Sequence, residues 1–447
     1  MRTVYMDHAA TTPLDPRVLQ VMLPYLKEEY GNPSALYERG RAAKDALVDS
    51  RETVGKLLGA HADEIIFTAS GTESDNLAIL GAARAHEAKG KHVITSAVEH
   101  HAVLGCVEQL AKEGWRTTVL PVDEYGRVKP EDLAAALAED TTVVSIMLAN
   151  NEIGTVLPLR EYAKVIRDWK KAHNRGPLEA PFLHTDACQA AGALSLDVAK
   201  LGVDLLTVNG GKIYGPKGVG VLYVRRGIKL RPIVFGGGQE MRLRSGTENV
   251  AGIVGFAKAF ELAQADREAE GNRLAALRDM LIGGIQARIP KVVLNGHPAE
   301  RLPNNVNVSI LDVEGEAVLL YLDAVGISAA TGSACDSASL DPSHVILAIG
   351  RPYEFAHASI RFTLGRSSTE ADVAYVLDQL PPIVEKLRAI SPVKMQLDGT
   401  IVGNASAFVS DGRPHWERNV ILNEVKNHSS VGTGPTKNLQ DPSLRSG

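Results

Sequence analysis

The segment EIIFTASGTESDNLAILGAARAHEAKGKHVITSAV (residues 64–98) alternates between two patterns and decides the fold class. Its apolar runs EIIFTAS and KHVITSAV predict strands, and the stretch NLAILGAARAHEAKG between them predicts a helix. The same alternation continues to about residue 225. A chain that repeats strand and helix in this way predicts an α/β domain with a mostly parallel sheet covered on both faces.

Beyond residue 225 the pattern changes. Residues 249–288 predict one or two long helices that leave the first domain. Stretches of mixed strand and helix character follow and predict a smaller α+β unit: NNVNVSIL (304–311), EAVLLYLDAV (316–325) and ASIRFTLG (358–365). The segment STEADVAYVLDQLPPIVEKLRAI then predicts a helix capped by Thr369 and Asp372 and interrupted by Pro381–Pro382.

The length of 447 residues favours two domains. We expect a large α/β domain over residues 16–258 and a small α+β domain that combines residues 1–15 with 259–395. From residue 396 the chain is rich in Gly, Ser, Asn and Pro and has no sustained period. We therefore expect residues 396–447 to form a disordered tail.

Composition restricts the class of protein. The net charge of −5 provides no general attraction to nucleic acid or acidic membranes, so neither is expected as a partner. No apolar run is long enough to span a membrane, and the first residues show no signal segment. The three cysteines, Cys106, Cys188 and Cys335, are far apart and lack a CxxC spacing. They predict no metal site and suit a reducing compartment, so we expect a soluble, cytoplasmic protein.

Cys335 lies in TGSACDSAS (residues 331–339), where its neighbours are small or polar. This composition predicts an exposed loop, with the segment 331–343 joining the surrounding elements. An exposed thiol can occur there by chance. Alternatively, Cys335 is a nucleophile that must reach its target.

Polar residues follow two of the predicted strands, at the edge where open α/β sheets bind ligands. Asp186 follows a strand in LHTDACQAAG, and Lys212 follows another in TVNGGKIYGPKG. A desolvated lysine can form a Schiff base, and a carboxylate facing a pyridinium nitrogen is what pyridoxal phosphate requires. Each residue also has a structural interpretation, Asp186 as a helix cap and Lys212 as a solvated charge.

Three further stretches end strands with polar residues. In FTASGTESDN, Gly71 and Thr72 begin a helix whose N-terminus favours a phosphate or is simply capped. His100 can stack on a cofactor ring or cap the next helix. Asn151, in LANNEIGT, can bind a ligand oxygen or form a turn.

Two later segments add candidates. The glycine-rich stretch FGGGQEMRLRSGTENVAG (residues 235–252) is too charged for a core, and its Thr247 can donate to a phosphate across a subunit interface. Arg361 lies in the apolar strand ASIRFTLGR, where an arginine needs a carboxylate partner. That partner can be an internal Asp or Glu, or the carboxylate of an amino acid.

The ordered set of motifs resembles the cysteine desulfurases of the NifS/IscS-like class over residues 3–392. These are class V members of the fold-type I pyridoxal-phosphate transferases. The motifs are DHAATTP, GNPSALYERG, FTASGTESDN, EHHAVL, NNEIGT, HTDACQAAG, GGKIYGPKG, GGGQEMRLRSGTEN, EGEAVLL, TGSACDSAS and SIRFTLGRSST. The long Cys335 segment is similar to that of the NifS/IscS-like class and unlike the shorter one of the SufS-like class.

The resemblance implies the cofactor pyridoxal 5'-phosphate and a set of residues that contact it. The implied contacts are Lys212 as covalent attachment, Asp186 at the pyridine nitrogen, His100 on the ring, Gln189 and Asn151 near the phenolic oxygen, and Gly71, Thr72 and Asn209 at the phosphate.

The resemblance also implies a substrate, partners and a reaction. Arg361 and Asn151 would hold the carboxylate of L-cysteine, and Thr247 would reach the phosphate from the second subunit of a homodimer. Cys335 would attack the substrate sulfur and become a persulfide while L-alanine is released. The sulfur would then pass to an acceptor protein that serves iron–sulfur cluster assembly or tRNA thiolation.

One departure from the family pattern concerns the phosphate. The family usually has Ser-Gly-His-Lys before and at the attachment lysine, whereas this chain has Asn209-Gly210-Gly211-Lys212. Losing one charge-assisted bond to the phosphate costs about 1.5–3 kcal/mol. We therefore expect cofactor retention to be weaker by about 10- to 100-fold.

Three alternatives compete with the desulfurase interpretation. A class V aminotransferase needs no cysteine loop, so TGSACDSAS argues against it. A selenocysteine lyase would use the same chemistry. A scaffold that has lost its cofactor is favoured only by the Asn209 and Gly211 changes. The presence together of Lys212, Asp186, His100 and Cys335 opposes it.

Overall fold

The computed structural model describes residues 2–332, 342–391 and 394–400. The strands in these residues are β1 (Val4–Tyr5), β2 (Ile65–Thr68), β3 (His92–Ser96), β4 (Arg116–Leu120), β5 (Thr141–Ser145), β6 (Phe182–Asp186), β7 (Leu205–Asn209), β8 (Gly220–Val224), β9 (Val292–Leu294), β10 (Asn305–Ile310), β11 (Ile327–Ser328) and β12 (Ser359–Thr363). The α-helices are α1 (Pro16–Lys27), α2 (Glu38–Leu58), α3 (Gly71–His86), α4 (His101–Lys112), α5 (Pro130–Ala136), α6 (Leu159–Ala172), α7 (Val198–Leu201), α8 (Val250–Arg288), α9 (Gly315–Ala324), α10 (His344–Ala348), α11 (Tyr353–His357) and α12 (Glu370–Ile390).

The largest sheet has seven strands in the order β2-β8-β7-β6-β5-β3-β4. Strand β8 runs antiparallel to both neighbours, and the strands from β7 to β4 pair in parallel. The predicted α/β fold with a mostly parallel sheet is therefore confirmed. In such a sheet, the carboxyl ends of the parallel strands meet at one edge and form the place where ligands bind.

Consecutive residues of these strands enter different apolar cores. Phe67 and Val144 pack in one core, and their chain neighbours Ile66 and Val143 pack in the other. Successive side chains of a strand point to opposite faces, so an apolar run without alternation is what a sheet covered on both faces requires. This explains why the short apolar runs in the sequence predicted the strands correctly.

A second group of elements forms around β9, β10 and β12, an antiparallel sheet in the order β12-β10-β9. Strands β1 and β11 pair in parallel beside it. Residues of β10, β12, α9 and α12 share one apolar core. The α+β character expected for this part of the chain is present, while the domain boundaries at 15/16 and 258/259 stay a prediction.

Residues 250–288 form the single helix α8, one of the two outcomes that the sequence allowed. Phe256 and Phe260 in its first half belong to a core of the large sheet. Leu277 and Leu281 in its second half belong to the core around β10. The helix thus joins the two groups of elements by burying a different face in each.

The prediction that Pro381–Pro382 interrupts the last helix is wrong, because α12 runs from Glu370 to Ile390 with both prolines inside it. Leu380 and Ile383, on either side of the prolines, pack in the same core. Burying that continuous apolar face outweighs the hydrogen bonds that the prolines cannot make.

The predicted cap of α12 is confirmed by a reciprocal pair. The backbone N–H of Asp372 donates to the hydroxyl of Thr369 at 3.2 Å, and the N–H of Thr369 donates to the carboxylate of Asp372 at 2.9 Å. The capping box therefore fixes where α12 begins.

Two predicted features fall largely or wholly outside the described residues. These are Cys335 in its loop and the tail, of which only residues 396–400 are described. Those five residues form a turn in which the N–H of Gln396 donates to the carbonyl of Thr400 at 2.9 Å. Among the described residues, no helix is long and apolar enough to cross a membrane.

Candidate active site

Several candidate residues lie at the carboxyl edge of the large sheet. Asp186 is the last residue of β6 and Asn209 the last residue of β7, and these strands are parallel neighbours. His100 follows β3 and directly precedes α4. The sheet topology therefore brings together polar residues that are up to 109 positions apart between His100 and Asn209.

Asp186 is buried, and its Oδ1 accepts a hydrogen bond from the N–H of Cys188 at 2.8 Å. This bond agrees with the structural interpretation of Asp186 as a capping residue. A buried carboxylate in this position favours a cationic partner.

Lys212 ends the short 3-10 turn Gly210–Lys212 that follows β7. Its Nζ donates to the carbonyls of Ala9 at 2.8 Å and Ala10 at 2.5 Å. The side chain of Gln189 donates to the same Ala9 carbonyl at 3.0 Å. Lys212 is thus no solvated surface charge, since the N-terminal segment holds its amine beside Gln189.

His100 caps α4, as one of its two interpretations predicted, because its Nδ1 accepts from the N–H of Ala102 at 3.1 Å. Burial lowers the pKa of His100, the charge of Asp186 acts in the opposite direction, and His101 and Lys212 lower it further. The three groups His100, Asp186 and Lys212 are therefore close enough to influence one another. The imidazole is neutral at neutral pH and can accept a proton.

Gly71 is the first residue of α3, and the hydroxyl of Ser70 caps the helix by accepting from the N–H of Glu73 at 3.1 Å. A Cβ at Gly71 would lie 2.8 Å from Sγ of Cys188 and 3.3 Å from Cβ of Asn209. This close approach requires glycine and places Asn209 directly beside the N-terminus of α3. The helix therefore carries both the ordinary cap and an arrangement that suits a phosphate.

The space beside Gly211 is different. A Cβ there would meet Lys217 Cγ at 3.5 Å and Asn209 Oδ1 at 3.8 Å, which are ordinary contact distances. The N–H of Gly211 donates to Asn209 Oδ1 at 3.2 Å. Packing therefore does not require glycine at position 211, and a Cβ would fit there beside Asn209.

Arg361 is buried and its two terminal nitrogens are both engaged. Nη1 donates to the carbonyl of Asn151 at 2.9 Å, and Nη2 donates to Asp7 Oδ1 at 3.0 Å. Of the two partners considered for Arg361, the internal carboxylate is present. Among the described residues, Nε of Arg361 and Oδ1 of Asn151 are buried polar atoms without a hydrogen-bond partner.

The two threonine candidates are both exposed residues near the start of a helix. Thr72 is exposed on the first turn of α3, and Thr247 is exposed in the loop that precedes α8. Their roles at the phosphate stay predictions.

Sequence reasoning missed several polar groups that build this region. Asp7 and the carbonyls of Ala9 and Ala10 supply partners to Arg361 and Lys212, although they lie about 200 or more positions away. Asp75 is buried in α3 with Oδ1 3.6 Å from Nε2 of His184. The only sequence signal for Asp75 is an acidic residue in a helix that is otherwise apolar on that side.

Burial raises the pKa of Asp75 well above its ordinary value, and the nearby charge of Asp186 adds to this effect. Burial also lowers the pKa of His184 to about 4. Near Asp186, the carboxyl of Asp75 therefore favours its neutral form, and the imidazole of His184 is also neutral. Asp186 is the one of these three groups that ends the strand and faces the edge of the sheet.

The chain matches the family model described as aminotransferase class-V over residues 4–376. It is 51% identical over 395 residues to cysteine desulfurase IscS of Dictyoglomus turgidum, which covers 88% of this chain and 98% of the relative. The chain belongs to the cysteine desulfurase family. Cysteine desulfurase IscS of Methanosarcina thermophila is 50% identical over 392 residues, covering 88% of this chain and 94% of the relative.

Solved structures agree with this membership. A NifS-like protein superposes with a TM-score of 0.79 at 35% identity and covers 86% of this chain and 100% of its own. The structure described as SspA in complex with cysteine has a TM-score of 0.70 at 32% identity, covering 81% of this chain and 99% of its own. The expected resemblance and the fold of a cysteine desulfurase are thereby confirmed.

Proposed function

We propose that this chain is a pyridoxal-phosphate-dependent cysteine desulfurase that converts L-cysteine to L-alanine and leaves the sulfur as a persulfide on Cys335. The observation that carries the proposal is the convergence of Asp186, His100 and Lys212 at one edge of the sheet. Membership of the family supports the same reaction.

The residues present fit the cofactor. Gly71 leaves no space for a side chain, because Cys188 and Asn209 pack against it, and this places the backbone N–H groups at the start of α3 beside Asn209, where they would hold a phosphate. Asn151 has a buried side-chain oxygen without a partner, which suits a ligand with a donor. Bound pyridoxal phosphate would supply an electron sink for the carbon chemistry of the substrate.

Each side chain then has a defined task. Lys212 would attach the cofactor after leaving the carbonyls of Ala9 and Ala10. Asp186 would keep a proton on the ring nitrogen through its charge. His100, held neutral by burial, would take up and return a proton at its imidazole.

Arg361 would bind the carboxylate of the substrate. Its guanidinium is already oriented by Asp7 and by the Asn151 carbonyl, so little side-chain freedom is lost on binding. A charge-assisted bond to a carboxylate in a buried site is among the stronger hydrogen bonds. We infer that this pair selects an α-amino acid and sets the position of its sulfur.

The sulfur step is written for Cys335, which lies outside the described residues. Its thiolate would form an S–S bond to the substrate sulfur while the substrate's C–S bond breaks. The carbon keeps the electron pair and takes up a proton, giving the methyl group of alanine. The Cys335 sulfur and the substrate sulfur are each oxidised by one electron to the persulfide level as that carbon is reduced by two, so no further oxidant is needed.

We also propose that the enzyme works as a homodimer that passes sulfur to an acceptor protein. Large apolar side chains are unusually exposed, including Leu36 at 90% and Phe235 at 81%. Phe235 lies in the same glycine-rich segment as Thr247, so a second copy covering it would bring Thr247 to an interface. Sedimentation at several concentrations tests this, and a monomer at all of them contradicts it.

The reaction is tested by measuring alanine and sulfide released from L-cysteine in the presence of pyridoxal phosphate and dithiothreitol. Wild type should release both in equal amounts and Cys335→Ala neither. Cys106→Ala is the matched control, because Cys106 is buried in α4 and its pKa is raised to about 12 by burial. An inactive wild type with excess cofactor would contradict the proposal.

A further inference from the structure

Glu152 is a buried carboxyl that the proposed reaction does not use. Its side chain is on a residue only 3% exposed, in the turn that also carries Asn151. Its N–H donates to Asn150 Oδ1 at 2.8 Å. Its carbonyl accepts from the amides of Asn305 at 3.1 Å and Asn307 at 3.2 Å, both on β10. Hydrogen bonds to Asn150 on one side and to strand β10 on the other therefore fix the backbone of Glu152.

The side chain of Glu152 contacts the chain on both sides of the segment that carries Cys335. Its Oε2 accepts a hydrogen bond from the hydroxyl of Ser343. A Cβ at Gly332 would collide with the same oxygen, so the backbone of residue 332 rests directly against the carboxyl. One carboxyl oxygen thus touches Gly332 and Ser343, which are 11 positions apart.

Ser343 also begins α10 and holds it in place. Its hydroxyl accepts from the N–H of Ile346 at 3.2 Å. The next residue, His344, donates from Nε2 to the carbonyl of Glu99 at 2.9 Å. Apolar residues of α10 share a cluster with residues from the turns that carry His100 and Asn151; its members include Val98, Ile153, Val345 and Ile346.

We propose that Glu152 is a positioning residue for the sulfur step, because its carboxyl holds Gly332 and Ser343 together beside Asn151 and Arg361. This inference rests on the proposed function, in which Arg361 sets the substrate and Cys335 receives its sulfur. A displacement of about 1 Å in a reacting group can cost roughly 100-fold in rate. Glu152 fixes the positions of Gly332 and Ser343, the described residues on either side of Cys335 in the sequence.

The electrostatics agree with an anchor that works as a hydrogen-bond acceptor. Burial raises the pKa of Glu152 to about 7, whereas the Ser343 hydroxyl, Arg361 and His101 each lower it. Burying a carboxyl costs desolvation free energy. A hydrophobic residue of similar volume would avoid this cost, so a buried carboxyl at this position favours a specific role. The contact with Ser343 requires an oxygen and does not require a charge, so glutamine can replace it.

The first test compares Glu152→Ala with Glu152→Gln. In Glu152→Ala, single-turnover formation of the Cys335 persulfide, measured by mass spectrometry, should slow by about 10- to 100-fold. Binding of L-alanine, followed by the absorbance of the bound cofactor, should change less than 3-fold. Glu152→Gln should retain both properties within about 3-fold, since its amide oxygen still accepts from Ser343.

Glu64→Gln is the matched control, because Glu64 is also buried and its carboxylate accepts from the N–H groups of His61 and Arg226. It should leave persulfide formation unchanged. If Glu152→Ala lowers L-alanine binding as much as persulfide formation, Glu152 serves general folding and the proposal is wrong. Equal rates for wild type and Glu152→Ala would overturn it as well.

The second test uses the close contact at Gly332. Gly332→Ala alone should slow persulfide formation, because the new methyl group meets the carboxyl of Glu152. In the Glu152→Ala background the same change should have little further effect, since the obstructing atoms are gone. Independent, multiplying effects of the two substitutions would show that they do not act through this contact.

The third test does not depend on activity. Hydrogen exchange of the apoenzyme, read on peptides that cover residues 342–349, should be faster in Glu152→Ala and Ser343→Ala than in wild type and Glu64→Gln. If wild type forms no persulfide, the proposed function fails, but this measurement still decides whether Glu152 holds α10. Unchanged exchange in both variants would overturn the anchoring role.

Discussion

The two ends of the candidate site hold their proposed ligands in different ways. At the phosphate end, Gly71, Asn209 and Gly211 contribute backbone, one amide and open space. At the carboxylate end, Arg361 is buried between Asp7 and the Asn151 carbonyl. Contacts within the protein already orient Arg361 at the carboxylate end. At the phosphate end, the protein contributes backbone groups, one amide and space.

This difference predicts different responses to mutation. Removing the Arg361 charge from the carboxylate end leaves the half-buried carboxylate of Asp7 without its partner, which is costly. Changing Gly71 or Gly211 at the phosphate end alters only the space beside Asn209 and the hydrogen bonding of Asn209. We therefore expect substitutions at the carboxylate end to cause the largest losses of activity. Substitutions at the phosphate end should either lower or raise the affinity for the cofactor.

The largest effect is expected for Arg361→Gln. Loss of the guanidinium would remove the proposed bond to the substrate carboxylate and the ion-pair partner of Asp7, so kcat/KM for L-cysteine should fall by about 100- to 1000-fold. Steady-state kinetics with excess cofactor measure this. Arg116→Gln is the control, because Arg116 forms an exposed pair with Asp140. A loss below 3-fold in Arg361→Gln would show that the substrate carboxylate binds elsewhere.

A smaller loss is expected for Gly71→Ala, at the crowded part of the phosphate end. The new Cβ would lie 2.8 Å from Sγ of Cys188, and relieving such an overlap costs about 1–3 kcal/mol. Cofactor affinity, measured by fluorescence titration of apoenzyme, should fall by roughly 10- to 100-fold. Cys188→Gly should restore part of it in the double variant. Absence of any restoration would mean that the overlap with Cys188 is not the cause.

The sequence predicted most of what depends on local pattern. The apolar runs gave the strands of the large sheet, and the polar residues placed after them, Asp186, Lys212 and His100, do lie at one edge. Parallel strands explain this success, because their carboxyl ends meet wherever the chain order places them. The direct partners could not be predicted in this way. Ala9 meets Lys212 across 203 positions, and nothing local signals that contact.

Buried acids were the second kind of feature that sequence reasoning missed. Asp75 and Glu152 look like solvated charges in the sequence, since most acidic residues are exposed. Their burial results from tertiary packing against His184 and Ser343. Pro381–Pro382 shows the opposite error, in which a strong local signal was overridden by packing of α12.

A gain is expected at the open part of the phosphate end. In Gly211→His, the new Cβ has room, because it meets Lys217 and Asn209 only at ordinary contact distances. An imidazole beside Asn209 should add a hydrogen bond to the phosphate and tighten cofactor binding by about 10-fold. Loss of cofactor during dialysis, followed by absorbance, measures this. Gly211→Ala is the control for backbone stiffening, and equal tightening in both variants would refute a phosphate contact.

The smallest effect on activity is expected for Glu99, a buried carboxyl near Asp186, which should instead affect the pH dependence of stability. Burial raises the pKa of Glu99 to about 8, although its carboxylate accepts from Ser96 at 2.5 Å and from the N–H of Met147 at 3.0 Å. A raised pKa means that the folded protein binds a proton that the unfolded chain releases above its own pKa of about 4.3.

The contribution of Glu99 to stability is therefore complete below pH 4 and is lost as pH rises toward 8. The loss is at most about 1.4 kcal/mol per pH unit. Chemical denaturation between pH 5 and 8 should show a flatter decline in Glu99→Gln than in wild type. Glu113→Gln is the control, because hydrogen bonds from Arg84 and Gln109 lower the pKa of Glu113 and its contribution changes only below this range. An identical slope in wild type and Glu99→Gln would mean that the buried Glu99 does not carry this pH dependence.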